Sequence, residues 1–349
     1  MTRSGLVFHV RETLVLARRW RIPISLLAGA AMWLGAVGRI DDWQLFVQVA
    51  RSDNILRTYN AHPHFQSGPL TIILMWVAAT LGRPLTSVLC FAALPVLQMR
   101  LERWLRRDAP LSGHLVLAIA WGAAIASGHL DDMAASIALL LAAVHNMHSR
   151  WIAGLWVGVA ICFKPWAIIG VPLALSIPGM LTAGAITAGF WSPFLLFGGA
   201  FKAVADGARV QPQSLLSLFI SPGDPYPYWW RPAQLTFLLC LAIILSRRFQ
   251  PVASVAFASL ARIVLEPALW QYYYISPAIF GVTAGLRTSW LLVSLFVPLI
   301  PGLVGTFARV ISILMVPNGG DVFHNRWSHG AGHLFLRNGR GEVDRGQNR

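Results

Sequence analysis

The sequence predicts an all-α fold that crosses a membrane many times. Three observations carry this. The 349 residues are 56% hydrophobic and only 12% charged, against roughly 25% charged in soluble domains. The mean hydropathy is +0.59, and backbone exposed to lipid must satisfy its own hydrogen bonds, which helices do within one segment. Finally, most arginines cluster at the ends of apolar runs, the pattern of basic loops held on the cytoplasmic side. Lys164 and Lys202 are the only lysines among 28 cationic residues. The net charge of +14 is therefore read as membrane topology, with membrane lipids as partners. No nucleic-acid motif is present, and nucleic acid is excluded as a partner.

Taken in order, Arg3, Arg11, Arg18, Arg19 and Arg21 precede an apolar run with no small-residue cleavage site. This reads as a retained first span over about 22–38, with its N-terminus in the cytoplasm. A polar loop, 39–67, follows on the outer side. In it Trp43, Phe46, Val47 and Ala50 recur at helical spacing, which predicts an amphipathic helix lying on the membrane. His62-Pro63 and Gly68-Pro69 break it before the next span. Residues 69–99 form one long kinked span or a tight hairpin around Gly82-Arg83-Pro84. Four arginines between Arg100 and Arg107 place the next loop in the cytoplasm. Spans near 113–127 and 133–147 flank an outer turn, Gly128-His129-Leu130-Asp131-Asp132.

Residues 151–178 are interrupted at Lys164-Pro165, since proline breaks a helix. A span over 181–197 leads into a second polar segment, 198–232, expected to hold another surface helix. Spans at 233–246, 252–265, 268–285 and 289–316 complete a set of eleven to thirteen. The chain thus divides into a transmembrane domain, 1–316, and a basic, cytoplasmic, disordered tail, 317–349. Cys90, Cys162 and Cys240 all sit in apolar runs and read as buried thiols.

Ionisable groups at membrane depth are costly and tend to be functional. Asp41 and Asp42 are the catalytic candidates: adjacent carboxylates at the outer end of a span, where one can serve as general base. Capping of the following helix is the competing reading, and Asp42 is preferred as base. In the 128–132 turn, His129, Asp131 and Asp132 are read as caps and as groups that recognise sugar hydroxyls. A metal held by His129 with one of these carboxylates is the lesser reading, and no metal or cofactor is expected. Lys164 interrupts an apolar run and needs an anion, either a phosphate or a site carboxylate. Arg231 and Arg262 are the alternative phosphate partners, because a guanidinium binds phosphate through two bonds. Arg262 and Glu266, at i and i+4, equally form a plain ion pair. His62, His64, Gln66, Gln213 and Tyr273 add hydrogen-bonding groups for sugar or acceptor.

Several of these residues also carry a resemblance. The order Asp42-Trp43, Val47-Gln48-Val49-Ala50, Leu56, Tyr59 and Gly68-Pro69-Leu70 resembles the first outer loop of the bacterial polyprenol-phosphate-mannose-dependent mannosyltransferases. Ala153-Gly154-Leu155, Gly158 and Lys164-Pro165-Trp166 are similar to a later run of that family, and Gln213-Ser214-Leu215-Leu216 to another. Ser67-Gly68-Pro69 and Gly128-His129-Leu130-Asp131-Asp132 depart from its pattern. The resemblance covers about residues 20–315. It implies a GT-C glycosyltransferase fold, a polyprenyl-phosphate-linked sugar donor, a lipid or glycan acceptor, and inversion at the anomeric carbon. It further implies that Asp42 or Asp41 is the base. The site would then face the extracytoplasmic side of the plasma membrane. Mannose is the sugar the family implies, with arabinose or glucose as alternatives. A transporter or flippase is the contrasting class, since broken helices and intramembrane charges also mark transporters. No internal inverted repeat is evident, and the polar residues gather in two outer loops.

Overall fold

A computed structural model describes residues 3–36, 42–52, 54–62, 65–101, 110–197, 199–200, 209–212, 214–267, 273 and 275–283. All lie in one compact unit, Met1–Val310. Asp41, His64, Gln213, the expected span 289–316 and the tail from Pro317 lie outside the described residues. Among the described residues the fold is all-α, as the sequence predicts, with one isolated bridge between Arg209 and Pro225.

Helix α1 runs over Arg3–Ala36. It starts far earlier than the expected span, because nothing in the arginine-rich stretch breaks it. Short helices α2 (Trp43–Ala50) and α3 (Thr58–Ala61) follow. Two apolar helices, α4 (Pro69–Leu81) and α5 (Arg83–Leu101), are bent by 114° at Gly82. Gly82 has φ +75°, a conformation that glycine adopts without a Cβ penalty. The long kinked span considered from sequence is therefore two separate helices. Next come α6 (Pro110–Ser127), α7 (Leu130–Asn146) and α8 (Arg150–Phe163). A 3-10 segment spans Pro165–Ala174. Pro165 and Pro172 within it lack the N–H an α-helix would use. Helices α9 (Ile177–Phe197), α10 (Trp230–Ser246), α11 (Pro251–Leu265) and α12 (Ile275–Thr283) complete the described set.

Among the described residues, α9 alone is long and apolar enough to cross a bilayer, or two spans are if the bent α4–α5 pair counts as one. The core is alanine- and glycine-rich, so helices pack closely. A Cβ on Gly122 of α6 would strike the Gly29 carbonyl of α1, and one on Gly154 of α8 would strike that of Gly179 in α9.

Three expectations change. The apolar face of α2 (Trp43, Phe46, Val49 and Ala50) is buried against the protein and does not lie on a membrane. Helix α4 and the α6–α7 turn cover it. The surface helix expected in 198–232 falls partly outside the described residues. From 209 to 229 the chain is irregular, with a 3-10 turn at Leu215–Leu218. Cys162 is buried, but Cys90 is only half-buried and Cys240 is exposed on α10.

Candidate active site

The site is built where the chain breaks its helices. Gly128 has φ +83°, and a Cβ there would sit 2.8 Å from the Trp43 amide nitrogen. A glycine thus lets the start of α2 press on the α6–α7 turn. The Asp42 amide donates to the Ser127 carbonyl at 3.0 Å. This brings the Asp42 carboxylate to His129, whose Nε2 lies 2.7 Å from Asp42 Oδ2. Phe46 packs edge-on against the imidazole, 5.1 Å between ring centroids.

Asp131 and Asp132 fall in the first turn of α7, where the helix dipole favours carboxylates. Both are fully buried. His129 Nδ1 lies 3.6 Å from Asp131 Oδ1 and 3.5 Å from Asp132 Oδ2, ion-pair contacts too long for hydrogen bonds. Lys164, just past the end of α8, places Nζ 2.9 Å from Asp131 Oδ2 and 3.3 Å from Asp132 Oδ2. Ser67 Oγ donates to Asp131 Oδ2 at 2.6 Å, and Trp166 Nε1 donates to Asp132 Oδ1 at 2.9 Å.

The far wall holds two arginines that share Glu266. Arg262 Nε donates to Glu266 Oε1 at 3.1 Å. Its guanidinium lies between the rings of Trp166 (4.8 Å) and Tyr273 (4.4 Å), a cation–π sandwich. Arg231 pairs with Glu266 Oε2 and donates to Gln234 Oε1 at 2.8 Å. Its Nε reaches the Tyr226 hydroxyl and its second terminal nitrogen the Gln66 side-chain carbonyl, both at 3.1 Å. The expected i,i+4 pair of Arg262 and Glu266 is thus one link of a larger chain.

These walls enclose a cavity of about 300 Å³. Its lining mixes Asp42, His129, Lys164, Arg231, Arg262 and Glu266 with Phe46, Phe65, Trp166, Leu235, Leu238 and Tyr273. The structure therefore brings together Asp42, Gln66, His129, Lys164, Arg231, Arg262 and Tyr273, with Asp131 and Asp132 directly beneath. His62 caps α3 and does not line the cavity. Sequence reading passed over Ser67 and Tyr226 as site groups and met Trp166 only within the Lys164-Pro165-Trp166 run. It met Tyr59, whose hydroxyl donates to the Ser67 carbonyl at 2.7 Å, only within the resemblance of the first loop.

Charge decides what the cavity can bind. Four carboxylates (Asp42, Asp131, Asp132, Glu266) face four cationic groups (His129, Lys164, Arg231, Arg262), so the cluster is neutral when the imidazole is protonated. Burial opposes that protonation, but the close carboxylates of Asp131, Asp132 and Asp42 outweigh it and raise His129 to about 9. The hydrogen bond from His129 in turn holds Asp42 below the usual carboxylate range, against its partial burial. His129, Asp131 and Asp132 offer ligand atoms within 4.8 Å of one another, a spread a metal ion would suit. The Lys164 ammonium already supplies the positive charge between the two carboxylates.

Compared with known protein families, characterised proteins and solved structures, the chain matches none.

Proposed function

We propose that this chain is a polytopic membrane glycosyltransferase that moves one sugar from a polyprenyl-phosphate donor to a hydroxyl of an envelope acceptor, with Asp42 as general base. The membrane reading rests on the arginine distribution and on the exterior of α5, α9 and α10. These helices turn large apolar side chains outward, among them Val88, Leu181 and Phe237. In water such continuous apolar surface is a liability for association.

One observation carries the assignment of the base. The Asp42 side chain is 40% exposed at the cavity, whereas those of Asp131, Asp132 and Glu266 are exposed by no more than 2% and are held by fixed partners. Oδ2 of Asp42 is committed to His129, which leaves Oδ1 for an acceptor hydroxyl. In the proposed step the acceptor oxygen bonds to the anomeric carbon and its proton passes to Asp42. The bond from that carbon to the phosphate oxygen breaks, and polyprenyl phosphate leaves with the electron pair. A cavity of about 300 Å³ lies at the lower end for small-molecule sites, the scale of one sugar with its phosphate. Mannose is the sugar favoured by the resemblance of the first loop.

The buried ion cluster at the break between α8 and the 3-10 segment also suits a transporter. Its position at one end of the bundle, in the first turn of α7 and past the end of α8, favours the enzyme.

The test is transfer of label from polyprenyl-phosphate-sugar in membranes that contain the protein. Asp42→Asn keeps shape and removes basicity. Transfer should fall by roughly two to four orders of magnitude, with donor binding retained. Near-normal transfer by Asp42→Asn, with Asp131→Asn or Asp132→Asn inactive, would move the base to the α6–α7 turn.

A further inference from the structure

Helix α4 has the composition of a membrane span: no residue from Pro69 to Leu81 is ionisable. Its contacts give it a different course. Trp121 Nε1 of α6 donates to the Cys90 carbonyl of α5 at 3.0 Å, and Gln98 of α5 donates to the His114 carbonyl of α6 at 3.1 Å. These two bonds fix an antiparallel register in which Arg83 stands level with residues 128–129. Arg83 indeed donates to the Ala126 carbonyl at 2.8 Å. The end of α4 is therefore at the Asp42 end of the bundle.

So is its beginning. The Gly68 amide and the Thr71 hydroxyl donate to the Phe163 carbonyl at 2.7 and 2.8 Å. Phe163 precedes Lys164, which meets the first turn of α7. Thirteen residues make a helix about 20 Å long, yet both of its ends lie at the same end of the bundle. The 114° bend to α5 agrees. With α5 along the bundle, α4 lies about 24° off the perpendicular plane and climbs about 7 Å from Pro69 to Leu81 at 1.5 Å per residue.

We infer that α4 does not cross the bilayer, but lies within the leaflet at the Asp42 end with its outer face among acyl chains. That face is Ile73, Trp76, Val77, Thr80 and Leu81, all exposed, while Thr71, Ile72, Met75 and Ala78 pack inward; the Thr80 hydroxyl turns back to donate to the Trp76 carbonyl at 2.9 Å. A surface helix facing water shows a polar outer side; the outer side of this one has no charged group, and its one hydroxyl, on Thr80, is bonded within the helix. The face continues into the exposed Leu85, Val88, Leu89, Val96 and Met99 of α5, which run the depth of the bundle. Lipid is the one occupant that covers both faces without a break.

Both ends of α4 are tied to the site. Ser67 holds Asp131, and Arg83 lies 5.8 Å over the ring of Trp43, the neighbour of Asp42. An embedded α4 thus sets the depth of Asp42 at the lipid–water boundary, where a lipid-linked donor presents its head group. The inference rests on the membrane reading above and not on glycosyl transfer.

The test is a depth measurement. Single cysteines at Ile73, Val77 and Leu81 on α4, and at Val88 and Val96 on α5, are placed in the full chain with Cys90, Cys162 and Cys240 replaced by Ala. The variants are spin-labelled in phosphatidylcholine liposomes, and collision with oxygen and with a water-soluble nickel chelate gives depth. All three α4 labels should sit in the acyl region, with position 81 about 5 Å shallower than position 73. A crossing helix would instead place position 81 about 12 Å deeper than position 73, which would overturn the inference. Labels on α4 that meet water, or that broaden one another between copies, would overturn it too. If Val88 and Val96 also meet water, the membrane reading itself fails, whatever the transfer assay gives.

Discussion

Replacing Lys164 with Met separates stability from phosphate binding. The ammonium lies 2.9 Å from Asp131 and 3.3 Å from Asp132, both fully buried. Removing one partner of a buried ion pair costs about 3–5 kcal/mol, because a charge is left uncompensated. Methionine fills the stem volume, so little of this loss is cavity. At about 2.1 cal/mol/K per residue, the 349 residues give an unfolding entropy of about 0.7 kcal/mol/K. The expected fall in Tm is then about 4–7 °C. Adding Asp131→Asn restores the local charge balance, since Asp132 keeps His129 and Arg262 as counter-ions. The double variant should recover at least half of the loss. The assay is thermal unfolding in detergent for the wild type, both single variants and the pair. A Lys164→Met protein as stable as wild type, or a pair whose losses simply add, would show that the ammonium does not neutralise these carboxylates. Lys164 would then be free for a donor phosphate. If the coupling appears, lost transfer in Lys164→Met reports a damaged site and not a missing phosphate contact.

The His129 imidazole is raised to about 9 from an ordinary value near 6.5, so its stabilising contribution is complete below about pH 6.5 and is lost as pH rises through about 9. The wild-type Tm should decline across that window by the equivalent of about 3 kcal/mol; a His129→Gln protein with the same decline would assign it elsewhere. The lowered Asp42 carboxyl works in the opposite sense: its contribution is present above the usual carboxylate range and disappears as pH falls below it, so Asp42→Asn should flatten the acid side of the same Tm profile. Gly122→Ala drives a Cβ into the Gly29 carbonyl and should cost several kcal/mol or prevent folding. Gly184→Ala, with nothing within 4 Å, should leave Tm unchanged or higher; equal tolerance of both would refute the close α1–α6 packing. Cysteines at Ser52 and Ser217 should react with an impermeant maleimide in intact cells, and reaction only after permeabilisation would invert the proposed orientation.

What could be read from the sequence follows from what is rare in it. In a chain that is 12% charged, an ionisable residue stands out. Seven site residues that line the cavity (Asp42, Gln66, His129, Lys164, Arg231, Arg262 and Tyr273) were each visible as a single position. Proline chemistry likewise fixes the break at Lys164-Pro165, where α8 ends at Phe163. Who pairs with whom was not visible. Lys164 meets Asp131 and Asp132 because α7 and α8 pack antiparallel, a register that no local signal encodes. Ser67, Trp166 and Tyr226 were missed as site groups for a related reason. A neutral donor in an apolar run looks like packing until its acceptor is known.

Helices α2 and α4 expose a deeper limit. Spacing at i, i+3 and i+4 groups Trp43, Phe46, Val47 and Ala50 on one face of α2, where Val47 is only half-buried and Val49 is buried in its place, and the apolar run of α4 is real. Periodicity says which residues share a face, but not what that face meets. In water the distinction would scarcely matter, because an apolar face has only the protein core to turn to. In a bilayer, lipid tails are as apolar as leucine, so protein and membrane compete for the same face on nearly equal terms. Helix α2 turns its face to protein because the Gly128 turn and α4 offer a close fit. Helix α4, uncharged all round, buries one side on α2 and leaves the other exposed. Length gives no better guide: thirteen residues without a charge fall short of the roughly twenty a crossing needs. Only the adjoining α5, read as its continuation, makes up the difference, and the left-handed Gly82 ends that continuity. A positive-φ glycine between two apolar runs is thus the local signal here that separates one continuous helix from two helices bent sharply against each other.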